Sequence, residues 1–403
     1  MRRVRVIALW VIGAMTALLI IAWLGLKGYL ASSSARGLAA AKIGETLGMA
    51  VEVESLDVGL ASTTATVRIP DAAADTPGDL IRIGSLTTDI TLGDLLAGRV
   101  NPTRVTAKDV DLLLRIDADG NILSPLPKRD KPGGATGPLP TVEVTSARVR
   151  IHQTGKPVFD LAGVSGQLKP DGDGSVISGA VDDPKWGKWK LSGKLAANPA
   201  AGHVELSTDQ GVLSDPLLRS IPYVPPVVWE HLSAAATTAA VVTFSFRPDD
   251  DLRFSVDLRP NKASLTVPDA DVTATEVEGR IRIDGEKVTV DGGALTLADG
   301  RMTVSGTYQF DRPTAIISLK LTAKGVDVRH LPTEWGLPKE ITGRLKGTAA
   351  LELRIPLGGK LETLGSGSGE LEDAKFAGLP AEIKLNLRGG GGRYRFDTTS
   401  PGR

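Results

Sequence analysis

The stretch that decides the fold is Gly279–Phe310, GRIRIDGEKVTVDGGALTLADGRMTVSGTYQF. Apolar residues alternate with charged or hydroxyl ones: Ile281 and Ile283, Val288 and Val290, Leu295 and Leu297, Met302 and Val304, Tyr308 and Phe310. A period of two is the mark of a strand with one buried face. Asp284-Gly285, Asp291-Gly292 and Asp299-Gly300 punctuate the runs. Asp-Gly between alternating runs is a strong local hairpin signal, so the pattern predicts four short antiparallel strands with a turn at each pair.

The same reading extends in both directions. Val51-Glu-Val53-Glu, Val67-Arg-Ile69, Ile81-Arg-Ile83 and Asp109–Ile116 alternate upstream. Downstream come Ile316–Thr322, Gly343–Ile355, Gly369–Leu371, Glu382–Leu387 and Tyr394–Phe396. Beyond residue 48 no helical period is sustained. The predicted class is all-β with a short helical entrance. Ala35–Leu47 is rich in good helix formers, with serines before it that can cap a helix.

One further element is expected at the N-terminus. Val6–Leu26 is 21 residues without a charge, close to the roughly 20 that a spanning helix needs. Arg2, Arg3 and Arg5 precede it, and Trp10 and Trp23 lie near its ends. This predicts a single N-terminal transmembrane anchor with a cytoplasmic head. The alternative is a long signal peptide cut near Ala31-Ser32-Ser33.

Composition narrows the function classes. Of the 403 residues, 47 are Lys or Arg and 47 Asp or Glu, so the formal charge is zero, which argues against a generally basic nucleic-acid binder. There is no cysteine, which removes disulfides, thiolate metal sites and a catalytic thiol. Aromatics are only 4%, so one thick core built on large rings is a poor expectation.

No catalytic constellation stands out. His152, His203, His231 and His330 do not fall at metal-ligand spacing. Asp171-Gly-Asp173-Gly174 lacks the later ligands of a calcium loop and reads as a turn. Gly365–Gly369 has no strand-then-helix context for a phosphate loop. The expectation is a protein that is not an enzyme, with no cofactor and no metal.

The organisation expected is residues 1–29 as head and anchor, 30–48 as the short helix, and 49–124 as a first β unit. A Pro-rich linker or loop at 125–140 follows, then a β segment at 141–213, a Pro-rich insertion at 214–236 and a long meander at 237–403. An antiparallel sheet with one apolar face must cover it. Two layouts answer that need: a stack of sandwiches with dry cores, or a sheet that curls so that its aliphatic face lines a groove.

The order of features resembles the AsmA-like family of bacterial envelope proteins, which includes TamB-type repeating β-groove proteins. The resemblance rests on the basic head and apolar run, Thr46-Leu47-Gly48, Val51–Val58, and Ile81–Leu86. It continues with Leu92-Gly-Asp-Leu95-Leu96-Ala-Gly98-Arg-Val100, Val105–Ile116 with Asp119-Gly120-Asn121, and Gly367–Pro380. Gly336-Leu-Pro338 followed by Ile341-Thr-Gly343 is similar. It implies an elongated, mostly antiparallel curved sheet, taco-like, whose groove lodges acyl chains.

The implied place is the inner (cytoplasmic) membrane, single-pass, with the bulk of the chain in the periplasm. The implied partners are phospholipid or another acyl lipid and the inner membrane, with no nucleic acid. The implied role is phospholipid transport in outer-membrane or envelope biogenesis. Candidate groove-lining residues are Val51, Val53, Val110, Leu112, Ile281, Ile283, Val288, Val290, Leu295, Leu297, Val304, Leu351 and Leu353. The alternatives are an assembly factor that binds an envelope protein client, and an anchored hydrolase or sugar-binding module.

Overall fold

Strand alternation governs nearly all of the described chain in a computed structural model. The structure describes residues 33–47, 49–71, 78–97, 102–119, 121–125, 140–197, 200–222, 224, 233–247, 250–267, 272–285, 287–309, 314–331, 337–356, 362–390 and 393–399. The anchor at Val6–Leu26 and most of the Pro-rich 125–140 segment lie outside these residues. Among the described residues no helix is long and apolar enough to cross a membrane. The chain divides into two compact units, Met1–Val181 and Asp182–Arg403.

In the first unit, helix α1 (Ser33–Leu47) precedes β1 (Glu52–Val58), β2 (Thr63–Pro70) and β3 (Asp79–Thr88). A one-turn helix α2 (Leu92–Leu96) leads to β4 (Arg104–Ile116), β5 (Thr141–Gln153), β6 (Phe159–Asp171) and β7 (Gly174–Asp183), whose last two residues belong to the second unit. Strands β1 to β4 form an antiparallel meander. Strand β5 joins β4 in parallel, and β6 and β7 return to antiparallel pairing. The parallel step follows from the long 117–140 connection, which returns the chain to the end where β4 began.

Helix α2 is the Leu92–Val100 step of the sequence reading. Thr91 Oγ accepts the Asp94 N–H, and the Asp94 carboxylate accepts from the Thr91 N–H and hydroxyl. This reciprocal cap satisfies donors that a helix start leaves open.

The second unit holds β8 (Gly187–Ala197), β9 (Ala200–Leu213), a short helix α3 (Asp215–Ser220), β10 (Ser233–Arg247), β11 (Asp250–Val267) and β12 (Val272–Asp284). It continues with β13 (Lys287–Leu297), β14 (Gly300–Gln309), β15 (Thr314–Asp327), a 3-10 turn at Val328–His330, and β16 (Ile341–Pro356). Then come β17 (Glu362–Phe376), the two-residue β18 (Leu379–Pro380), β19 (Lys384–Gly390) and β20 (Arg393–Thr399). From β8 to β17 each strand pairs antiparallel with the next. Strand β17 then pairs with both β18 and β19.

The turns at Asp284–Lys287 and Leu297–Gly300 are where the sequence places them. Asp291-Gly292-Gly293 is not a turn. It is a bulge inside the single strand β13, where the register to β14 shifts between Val290 and Gly293. Gly292 has φ +58°, the left-handed geometry that lets one extra residue enter a ladder. Asp-Gly serves hairpin and bulge alike, so the short-range signal is ambiguous. The bulge also swaps parity: Val288 and Val290 lie opposite Tyr308 and Gly306, while Leu295 lies opposite Met302. Both halves of β13 therefore keep their apolar residues on one face.

The same device recurs. A residue with positive φ sits within β5 (Ser146), β6 (Gly163), β11 (Lys262), β12 (Glu276), β15 (Gly325) and β17 (Asp373). The residue after it is small or β-branched and turns inward, as Ala147, Ala263, Val326 and Ala374 do; all four are buried. The boundary between the two units falls at Val181/Asp182. The Pro-rich segments emerge at strand ends, where they do not interrupt pairing.

Each unit's strands pack on their hydrogen-bonded neighbours, joined by α1 against β1, α3 against β10 and the 3-10 turn against β16. Among the described residues all the named strands belong to a single sheet, and there is no second one. The stacked-sandwich layout is therefore not what these residues form.

Candidate functional site

The apolar side chains of the second unit form ladders that run across its strands. One begins at Leu191 on β8, opposite Leu206, which faces Val242, which faces Val256. Val256 faces Ile283, and the ladder continues through Val288, Tyr308, Ile317 and Leu353. Every one of the nine is half-buried. Nine strands at about 4.8 Å spacing make a row of roughly 40 Å. A parallel row two residues away carries Leu258, Ile281, Val290, Gly306, Leu319 and Leu351.

These rows border a closed region on the same face. Ala323, Val326, Val328, Leu331, Ile341, Leu345, Leu371, Ala374, Ile383 and Leu385 form one buried cluster, with Leu297, Met302 and Leu337 packed against it. Val326 and Leu385 are 1% exposed. The 3-10 turn folds over β16 because Asp327 caps it, accepting the Arg329 N–H. Its carboxylate also takes a forked contact from the Arg329 guanidinium, which holds the acid down at about 2.

The face with the ladders is also the crowded side of the sheet. A Cβ added to Gly347 would lie 2.5 Å from the Ser368 carbonyl oxygen, and one added to Gly367 would lie 2.7 Å from that of Thr348. Added to Gly306 or Gly365, it would press still closer on the oxygen of Ser318 or Ala350. All four glycines stand opposite apolar-face residues. At these four positions only a glycine lets the neighbouring strand's backbone come so close.

The opposite face is ionic. Arg280 forks onto Asp257 of the neighbouring strand, and that bond lowers the Asp257 carboxyl against the opposing cost of burial. In the first unit Arg150 grips Asp111 at 2.8 Å and Arg148 grips Asp160 at 2.7 Å. These are strand-to-strand clamps on partly exposed groups, each worth little by itself.

The candidate residues divide by place. Ile281, Ile283, Val288, Val290, Leu351 and Leu353 fall on the two half-open rows of the second unit. Leu295 and Val304 lie at their border, opposite Met302 and Gly293. Leu297 packs against the closed cluster. In the first unit Val110 and Leu112 stand opposite Ile83 and Ile81, all half-buried. Val53 belongs to a closed core with Ala65 and Val67. There Ala39, Ala40 and Ile43 of α1 cover it and Val51 packs alongside, so these two are core residues beneath a helix and do not line an open face.

Sequence reasoning missed Leu191, Leu206, Val242 and Val256. Val241-Val242 and the bulge of β11 blur their alternation; a reading from each side of the bulge finds it. Of the described histidines, His203 Nδ1 meets Ser245 and His330 meets Asp299; His231 lies outside the described residues. Among the described residues no group of three or more His, Cys, Asp or Glu could hold a metal ion. Comparison with protein-family models, curated proteins and solved structures returns no match.

Proposed function

We propose that the chain carries lipid acyl chains on the aliphatic face of its sheet, as a membrane-anchored envelope protein of the AsmA-like kind. The observation that carries this reading is the nine-residue half-open ladder from Leu191 to Leu353. This face is apolar and only half-buried along two rows of the second unit. Each methylene removed from water contributes about 0.8 kcal/mol, so ten carbons recover roughly 8 kcal/mol before ordering costs. Nothing in such holding requires a nucleophile or a metal. The Val6–Leu26 run would tether the chain to the inner membrane, with the sheet in the periplasm and its cargo bound for the outer membrane.

The test is native mass spectrometry of the full chain drawn from membranes in mild detergent, with lipid extraction. We expect phospholipid above the level carried by residues 1–48 alone, and its loss in Ile283→Asp/Val290→Asp. A folded, β-rich sample without excess lipid overturns the reading and favours a client-binding assembly factor.

A further inference from the structure

The first unit holds apolar side chains out at one end of its strands. Leu60, at the tip of the β1–β2 turn, is 74% exposed, and Ala61 beside it is exposed too. The turn is tight: the Gly59 N–H donates to the Ser62 carbonyl oxygen at 2.8 Å, and a Cβ on Gly59 would lie 2.9 Å from that oxygen. The start of α2 is tied to it. The Leu92 N–H donates to the Gly59 carbonyl oxygen, and the Thr63 hydroxyl donates to that of Ile90. Leu60 therefore stands at one corner with Ile90 and Leu92, both half-buried. A lone exposed leucine carries no message; one held out on a fixed turn beside two further apolar residues does.

The same end receives the chain from the N-terminus. A Cβ on Gly44 would lie 3.9 Å from the Val51 side chain just before β1, and Arg36 donates to the Glu54 carbonyl oxygen within β1. Helix α1 thus runs antiparallel to β1, and its N-terminus at Ser33 points toward the β1–β2 turn. Leu38, on its second turn, is 69% exposed. The uncharged run Val6–Leu26 ends seven residues before Ser33. Seven residues span at most about 25 Å, so the end of that run lies within this distance of the α1 N-terminus.

Other parts of the unit are out of reach. Strand β4 is 13 residues long, or roughly 40 Å, which separates the turn after Ile116 from this corner. The β6–β7 turn shares the corner's end of the sheet and carries exposed Asp171 and Asp173. It lies about five strand spacings away, some ~24 Å.

We propose that the β1–β2 turn and the start of α2 rest on a phospholipid bilayer, with Leu60 in the interfacial zone of the membrane that holds the Val6–Leu26 run. Apolar side chains at the edge of a tethered unit are stabilised at the boundary between head groups and acyl chains, and the anchor brings that boundary within reach. The acidic β6–β7 turn stays in water, so the contact is confined to the β1–β4 corner. Asp89 and Asp94 are hydrogen-bonded to Thr103 and Thr91, which lowers the cost of bringing them toward the head groups. This rests on the anchor of the preceding reading and is independent of any lipid on the apolar face of the second unit.

The chain has no cysteine, so a single-cysteine variant reports one site. Leu60→Cys and Ala118→Cys, the latter at an exposed position beyond the far end of β4, are labelled in the full-length chain with an environment-sensitive nitrobenzoxadiazole dye. Both are reconstituted into vesicles of phosphatidylethanolamine and phosphatidylglycerol, with or without lipid carrying a nitroxide high on one tail. We expect the Leu60 dye to be blue-shifted and quenched at least threefold more than the Ala118 dye. Equal quenching at the two sites, in chains that float with the vesicles, overturns the membrane contact and leaves the anchor standing. A blue-shifted Leu60 dye that the nitroxide does not quench is covered by protein, which overturns the contact as well. A chain that does not float with the vesicles overturns the anchor and the contact together. Ala61→Cys takes the place of the Leu60 variant if that one is poorly folded.

Discussion

The two sides of the second unit's apolar face use the same residue types for different ends. On the bulge side, Val326, Leu345, Leu371 and Leu385 touch one another and the 3-10 turn, and water is gone. On the hairpin side, Ile283, Val288, Ile317 and Leu353 lie in register along the ladder and keep part of their surface in water. Strand alternation is identical on both. What differs is whether a covering segment follows the strand. The first side closes a core; the second leaves part of its apolar surface in water.

The largest expected contrast is between Leu385→Ala and Leu353→Ala. Leu385 is fully enclosed, so truncation leaves a cavity and costs about 2–5 kcal/mol. Leu353 is half-exposed, so the same change should cost under about 1.5 kcal/mol on area alone. Urea unfolding of the two variants measures the difference. Equal costs would mean that the ladder is as closed as the cluster.

The crowded strands offer the next test. Gly306→Val puts a branched side chain against the Ser318 carbonyl oxygen on the crowded face. Overpacking of this kind costs about 1–3 kcal/mol. Gly285→Ala, whose added Cβ meets nothing within 4 Å although its φ is +53°, carries backbone strain without crowding. A lower melting temperature for Gly306→Val than for Gly285→Ala would show that the strand crowding is real. The reverse order would mean that the strands can move apart at Gly306 at little cost.

A smaller effect tests the bulges. Lys262 holds φ +50°, which costs an L-residue roughly 1 kcal/mol. Lys262→Gly removes that strain but adds chain entropy, so a net gain of about 0.5 kcal/mol is expected in urea midpoint. A loss would mean that the lysine side chain contributes contacts of its own.

Much of this was legible in the sequence, and the exceptions have physical causes. Alternation from Ile281 to Tyr308 gives the strand class and separates the apolar face from the polar one. The Asp291-Gly292 bulge was misread because the same dipeptide closes hairpins. Val51 and Val53 alternate as lining residues would, but α1 covers them, and nothing in a period of two records what lies above a strand. The division into half-open ladder and closed cluster escapes sequence for the same reason. Ala263, Ala274 and Ala323 are unremarkable alanines until the pairing places them on one side.

The closed cluster also holds the smallest predicted effect, an acid-sensitive cap. The Arg329 guanidinium and its backbone N–H hold the Asp327 carboxyl at about 2, below the usual 3.8 of a free aspartate. A depressed carboxyl contributes stability that is present above its unfolded value and is lost as pH falls through the folded one. The window is therefore pH 4 down to 2, and neutral pH should show no dependence from this group. Arg329 is largely exposed, so screening reduces the contribution to on the order of 1 kcal/mol. Asp327→Asn should lower the melting temperature at pH 7 by a few degrees and by less at pH 2.5, where the parent has partly lost the same interaction.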